Sequence, residues 1–90
     1  MTGAERAQKR KEANGLQPIF QIGKGDIGEN LIRSVDEALE KRELVKLSLL
    51  QTAGIPAREA SVLLAERTNA EVIQCIGRKF VLYRKSEKKE

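Results

Sequence analysis

Between Pro18 and Leu39 the chain reads PIFQIGKGDIGENLIRSVDEAL, and its apolar periodicity changes from strand-like to helical across a glycine-rich bend. Ile19, Phe20 and Ile22 form a short apolar run behind Pro18, a residue that suits the first position of a strand. Gly23, Lys24, Gly25 and Asp26 supply turn chemistry. From Ile27 the apolar residues fall at Ile27, Leu31, Val35, Ala38 and Leu39, the spacing of one helix face. Asp26 followed three residues later by Glu29 predicts an N-cap with a capping box. Strand, tight turn and helix in direct succession place a lysine beside a helix N-terminus, where backbone N–H groups and the macrodipole favour anions.

The flanking segments extend this unit. Residues 3–13 (GAERAQKRKEA) are helix formers with no β-branched residue, and their apolar face is thin: Ala4, Ala7 and Ala13. Asn14-Gly15 is expected to end that helix in a left-handed cap. After a polar corner at 40–43, Val45, Leu47 and Leu49 alternate with Lys46 and Ser48, the mark of a half-buried strand. Two strands joined by one helix make a βαβ unit with parallel strands. Pro56 is placed to start a helix over 57–68, with Ala57, Ala60, Leu63, Leu64 and Val62 as its apolar set and Asn69 as a left-handed C-terminal residue. EVIQCI at 71–76 and KFVLYR at 79–84 read as strands of a hairpin around Gly77-Arg78, with glycine at the first turn position of a type II′ turn. The order is a helix, then β-α-β-α-β-β, an α/β chain in a single domain over 1–84, with a charged, mobile tail at 85–90.

Composition narrows what such a domain does. One cysteine, Cys75, forms no internal disulfide and fits a reducing, cytoplasmic setting; it reads as a small buried hydrophobe of its strand. With no histidine, neither a zinc site nor a His-based general base is expected, and no catalytic residue or cofactor. No apolar run reaches the roughly 18 residues of a membrane span. The net charge of +4 is carried by the ends. Arg6, Lys9, Arg10 and Lys11 outweigh Glu5 and Glu12 in residues 1–12. Arg84, Lys85, Lys88 and Lys89 outweigh Glu87 and Glu90 in 84–90, while 13–83 balances. A polyanionic partner is implied. Phe20 and Phe80 are expected in the core and Tyr83 half exposed, so an aromatic base-stacking sheet is not expected.

PIFQIGKG, the ENLI…DEAL helix, ELVKL and AEVIQCIGRKFVLYR together resemble the CRM domain (chloroplast RNA splicing and ribosome maturation), in its free-standing bacterial, YhbY-type form. The resemblance covers residues 1–84. It implies a two-layer α/β sandwich with a mixed four-stranded sheet, related to the C-terminal domain of translation initiation factor three, and RNA binding in association with precursors of the large ribosomal subunit. The chain departs from the family at two points. The loop pattern GxxG has aspartate at its fourth position, and Asp26 is expected to cap the helix and occupy the anion slot, leaving Lys24 and the N–H groups of Lys24 and Gly25 for phosphate. The first helix has Gln8, Lys9 and Glu12 where the family has Leu and Tyr, though it stays basic.

These readings converge on an RNA-binding monomer whose contact residues are Gly23, Lys24, Gly25 and Asp26 in the loop, Arg6, Lys9, Arg10 and Lys11 on the first helix, and Arg78, Lys79 and Arg84 around the last hairpin. Two rival classes deserve weight. Gly23-Lys24-Gly25-Asp26-Ile27-Gly28 satisfies G-x-G-x-x-G, yet the second strand ends in Leu-Leu-Gln, without the acidic residue a dinucleotide site needs. Asp36, Glu37, Glu40 and Glu43 make an acidic patch that suits a basic protein partner or simply a solvated face.

Overall fold

A computed structural model describes residues 2–85. Its elements run α1 (Gly3–Ala13), β1 (Phe20–Ile22), α2 (Glu29–Arg42), β2 (Leu44–Leu49), a single 3₁₀ turn (Gln51–Ala53), α3 (Ala57–Thr68), β3 (Glu71–Ile76) and β4 (Lys79–Tyr83). This is the expected order. The mobility expected of 85–90 concerns residues that, apart from Lys85, lie outside the described ones.

The sheet is mixed and four-stranded, ordered β1-β2-β4-β3. β1 and β2 are parallel, with Phe20 opposite Leu47 and Ile22 opposite Leu49. β4 runs antiparallel between β2 and β3, so β1, β2 and β3 all point the same way. Alternation along β2 sends Val45, Leu47 and Leu49 into the main core. There they meet Ile22, Phe80 and Leu82 from the sheet, Val35 and Leu39 from α2, and Ala60 and Leu64 from α3. The stripe of α3 is wider than its apolar letters suggest. Ser61 and Thr68 are also buried, because their hydroxyls donate to the carbonyls of Arg58 and Leu64, each at 2.7 Å. Val62 is left 48% exposed.

On the other sheet face α1 seats Ala13 against Ile73 and Val81. With so thin an apolar face, polar contacts assist its docking: Arg6 donates to the Val72 carbonyl at 3.0 Å, and the Lys9 ammonium sits 4.7 Å from the Tyr83 ring centroid. Thr2 caps the helix reciprocally with Glu5. The Thr2 backbone N–H and then its hydroxyl, both donating to the Glu5 carboxylate, hold that group below its ordinary pKa of 4.5.

Four local expectations are corrected. Asn14 closes α1 in the right-handed region with φ of −61°, and Gly15 does not take positive φ; the chain leaves through Leu16, whose N–H reaches the Ala13 carbonyl. Pro56 stands one residue before α3, as its extended N-cap. Cys75 is exposed: it lies opposite Phe80 next to the hairpin turn, and the strand's one buried position is Ile73, at the register shift between Val72 and Gln74. The fourth concerns the start of α2 and belongs to the site.

Candidate nucleic-acid interface

Because β1, β2 and β3 are parallel and β4 is not, three connections gather at one end of the sheet: the bend after β1, the loop after β2 and the β3–β4 turn. Carboxyl ends of parallel strands are where open α/β sheets bind ligands. The three connections are pinned to one another. Leu50 N–H donates to the Ile22 carbonyl at 2.8 Å, and Leu49 N–H to the Arg78 carbonyl at 2.7 Å.

The bend after β1 is a β-turn closed by Asp26 N–H on the Gly23 carbonyl at 3.2 Å. Gly25 has φ of 77° at the third position, as a type II turn requires. Gly23 is buried, and a Cβ there would lie 3.2 Å from Asp26 Oδ2 and 3.5 Å from the Leu50 side chain. Lys24, Gly25 and Asp26 are exposed.

Asp26 does not cap α2. Its carboxylate accepts the Gly23 N–H at 2.6 Å, closing the turn on itself, and Ile27 and Gly28 pass in before the helix begins at Glu29. The N-cap is Gly28, in extended backbone and without a side chain to cap with. The predicted capping box is therefore absent, and no side chain caps the first N–H groups of α2. Competing negative charge comes from Asp26 and from Glu29 in the first turn.

Lys24, Arg78 and Lys79 come together at this end of the sheet and are exposed. The Lys24 and Lys79 side chains make no ion pair or hydrogen bond among the described residues. Lys79 pairs with Ser48 and faces the α1 side, where it lines a cleft with Lys46, Asn14 and Gln74. Arg78 occupies the hairpin turn behind Gly77, whose φ of 60° matches the predicted type II′ geometry. Two participants escaped sequence reasoning, Lys46 and the loop after β2. The signal for the loop was available: it follows the second parallel strand, as the glycine bend follows the first.

The remaining candidates lie elsewhere. Arg84 is six residues beyond Arg78, roughly 20 Å along the strand at about 3.3 Å per residue. Its guanidinium is engaged by the Asp36 carboxylate and carbonyl, Glu40 and the Thr68 carbonyl. Arg6 is near the same far end, paired with Glu71 at 3.7 Å, and Lys9 pairs with Glu12 at 3.7 Å. Arg10 and Lys11 remain exposed on α1, without an ion pair among the described residues. Of the acidic patch, Asp36 and Glu40 turn toward Arg84. Among the described residues no cluster of potential metal ligands occurs, and no helix is long and apolar enough to cross a membrane.

A βαβ unit carrying an exposed glycine-lysine turn, extended by a helix-covered hairpin, defines a small mixed α/β fold. The chain belongs to the CRS1 / YhbY (CRM) domain family, which it matches over residues 1–84. It is 38% identical over 87 residues to YqeI of Bacillus subtilis, named a probable RNA-binding protein, covering 97% of this chain and 91% of YqeI. To the probable RNA-binding protein MJ0652 of Methanocaldococcus jannaschii it is 30% identical over 89 residues, 97% of this chain and 66% of that one. The solution structure of the hypothetical protein SAV1595 from Staphylococcus aureus superposes with a TM-score of 0.78 at 39% identity, covering 100% of this chain and 94% of that one.

Proposed function

We propose that this protein binds RNA through the loop end of its sheet, as a non-catalytic cytoplasmic monomer that acts on ribosomal RNA in precursors of the large subunit during ribosome maturation. The observation that carries the reading is the exposed Lys24 on a glycine turn beside an α2 N-terminus that no side chain caps. A backbone phosphate at that position meets an ammonium group, N–H groups that no side chain caps and a helix dipole together. Relatives named as RNA-binding proteins and the family itself support RNA as the partner. Arg78 and Lys79 continue the basic surface, and Lys46, Arg10 and Lys11 extend it on the α1 side. With few aromatics exposed, affinity rests on phosphate, 2′-OH and shape, and falls steeply with salt.

Neither rival class gains from the geometry. Gln51 follows β2 where a ribose-binding carboxylate would be needed, and the acidic residues Asp36 and Glu40 serve Arg84. Ultraviolet crosslinking in cells followed by sequencing of the bound RNA tests the target: large-subunit ribosomal RNA and its precursor flanks are expected to dominate. Recovery of messenger RNA in their place would overturn the ribosomal assignment.

Asp26 gives a sharper local test. Its carboxylate closes the turn but sets a negative charge beside the phosphate position. Asp26→Asn keeps an oxygen acceptor for the Gly23 N–H and removes the charge. RNA affinity is expected to rise about threefold, from the loss of a charge repulsion of under 1 kcal/mol at an exposed site. Weaker binding with the fold intact would mean that the carboxylate contributes to the contact.

A further inference from the structure

Beside the glycine bend, the loop after β2 and the hairpin turn enclose a cleft of about 420 Å³, within the range of small-ligand sites. Its chemistry differs from that of the bend. One wall is apolar, built from Leu50, Ile55 and Pro56, with Leu50 43% exposed despite its size. Gly54, with φ of 82°, bends the loop, and a Cβ there would meet nothing within 4 Å. Arg78 lines the cleft as well.

That arginine is held in place. Its carbonyl accepts the Leu49 N–H. With the Gln51 amide turned so that its oxygen faces the guanidinium, Gln51 Oε1 accepts from both Nη1 and Nη2 of Arg78 at 3.1 Å. A guanidinium held along one edge can offer a flat face to a ring, and a planar cation in a cleft with apolar lining is a platform for a nucleobase. The cleft is also continuous with the bend, since the Leu50 side chain that walls it lies 3.5 Å from where a Cβ of Gly23 would stand.

We propose that this cleft receives one unpaired nucleobase of the bound RNA, stacked on the Arg78 guanidinium against Leu50 and Pro56, while a neighbouring phosphate rests on the Lys24 turn. The inference deepens the RNA-binding reading and rests on it. It makes the protein a reader of single-stranded or bulged RNA, since a paired base cannot leave its stack without an unpairing cost.

The experiment compares an unstructured single-stranded RNA oligomer with an abasic oligomer of the same length and phosphate count, by fluorescence anisotropy at constant salt. Wild type is expected to prefer the base-bearing oligomer by about fivefold, the lower end of measured base-stacking effects. Arg78→Lys keeps the charge but loses the plane; it is expected to bind both oligomers alike. Lys24→Glu is expected to weaken both oligomers while keeping the preference. Equal affinity of wild type for the two oligomers overturns the base cleft and leaves the phosphate turn standing. A preference that survives in Arg78→Lys overturns the stacking role of Arg78, and no binding to either oligomer overturns the RNA reading as a whole.

Discussion

Lys24→Glu is expected to weaken RNA binding at least tenfold while leaving the thermal midpoint of unfolding within about 2 °C of wild type, as surface substitutions away from structural contacts do. Lys24 is exposed, and its side chain has no partner among the described residues, so the fold loses nothing with it. Binding loses more than one contact. The substituted carboxylate joins Asp26 and Glu29, so that three acidic groups stand beside an α2 N-terminus that no side chain caps. Tenfold corresponds to about 1.4 kcal/mol, less than a direct charge reversal against a phosphate costs at moderate salt. The companion substitution Lys24→Gln removes one cation without adding repulsion. It should lower the slope of log affinity against log salt by roughly 0.7, the counterion release of one phosphate contact on a single strand. Titrations across salt concentrations check both. Unchanged affinity in Lys24→Glu would remove the bend from the interface, whatever the rest of the basic surface does.

The frame of this molecule was legible wherever burial imposed a period. Val45, Leu47 and Leu49 announced β2, and Leu31, Val35 and Leu39 announced the inner face of α2; the structure buries them accordingly or nearly so. Asn69 takes the left-handed position because the helix pattern stops there with a residue that tolerates it. Polar side chains were harder to read, since one aspartate or arginine has several equally local uses. Asp26 satisfies the capping pattern with Glu29, yet the buried Gly23 N–H lies nearer to its carboxylate and needs an acceptor. Cys75 was misjudged because alternation does not show where cover ends: the strand buries only Ile73, and the two residues nearest the turn, Cys75 and Ile76, are exposed. The candidate site was half legible. Lys24, Arg78 and Lys79 meet because three strand ends meet. Arg6, Lys9 and Arg84 look equally basic in sequence, yet the fold draws them into contacts of its own.

Arg84→Ala is expected to lower the thermal midpoint by about 10 °C or more while changing RNA affinity less than twofold in the folded protein. The guanidinium joins three elements: Asp36 and Glu40, one turn apart on α2; the Thr68 carbonyl at the end of α3, at 2.7 Å; and β4, from which it extends. Its own N–H donates to the Glu43 carbonyl at 2.9 Å, fixing the stem of the side chain. The cation sits at the C-terminus of α3, where the helix dipole favours it. Its side chain is only 16% exposed, so solvent screens these contacts less than those of a surface pair. Hydrogen bonds to a charged group contribute about 1.5–3 kcal/mol, and removing one partner leaves the others under-satisfied. A loss of about 2–3 kcal/mol at roughly 4–8 °C per kcal/mol gives the expected shift for a domain of this size. Arg84→Lys should recover less than half of it, because one ammonium cannot reach Asp36, Glu40 and Thr68 in the fork geometry. Circular dichroism melting reads the stability, and anisotropy well below the midpoint reads the binding. A shift under about 3 °C combined with a tenfold loss of RNA affinity would reverse the assignment and return Arg84 to the RNA surface.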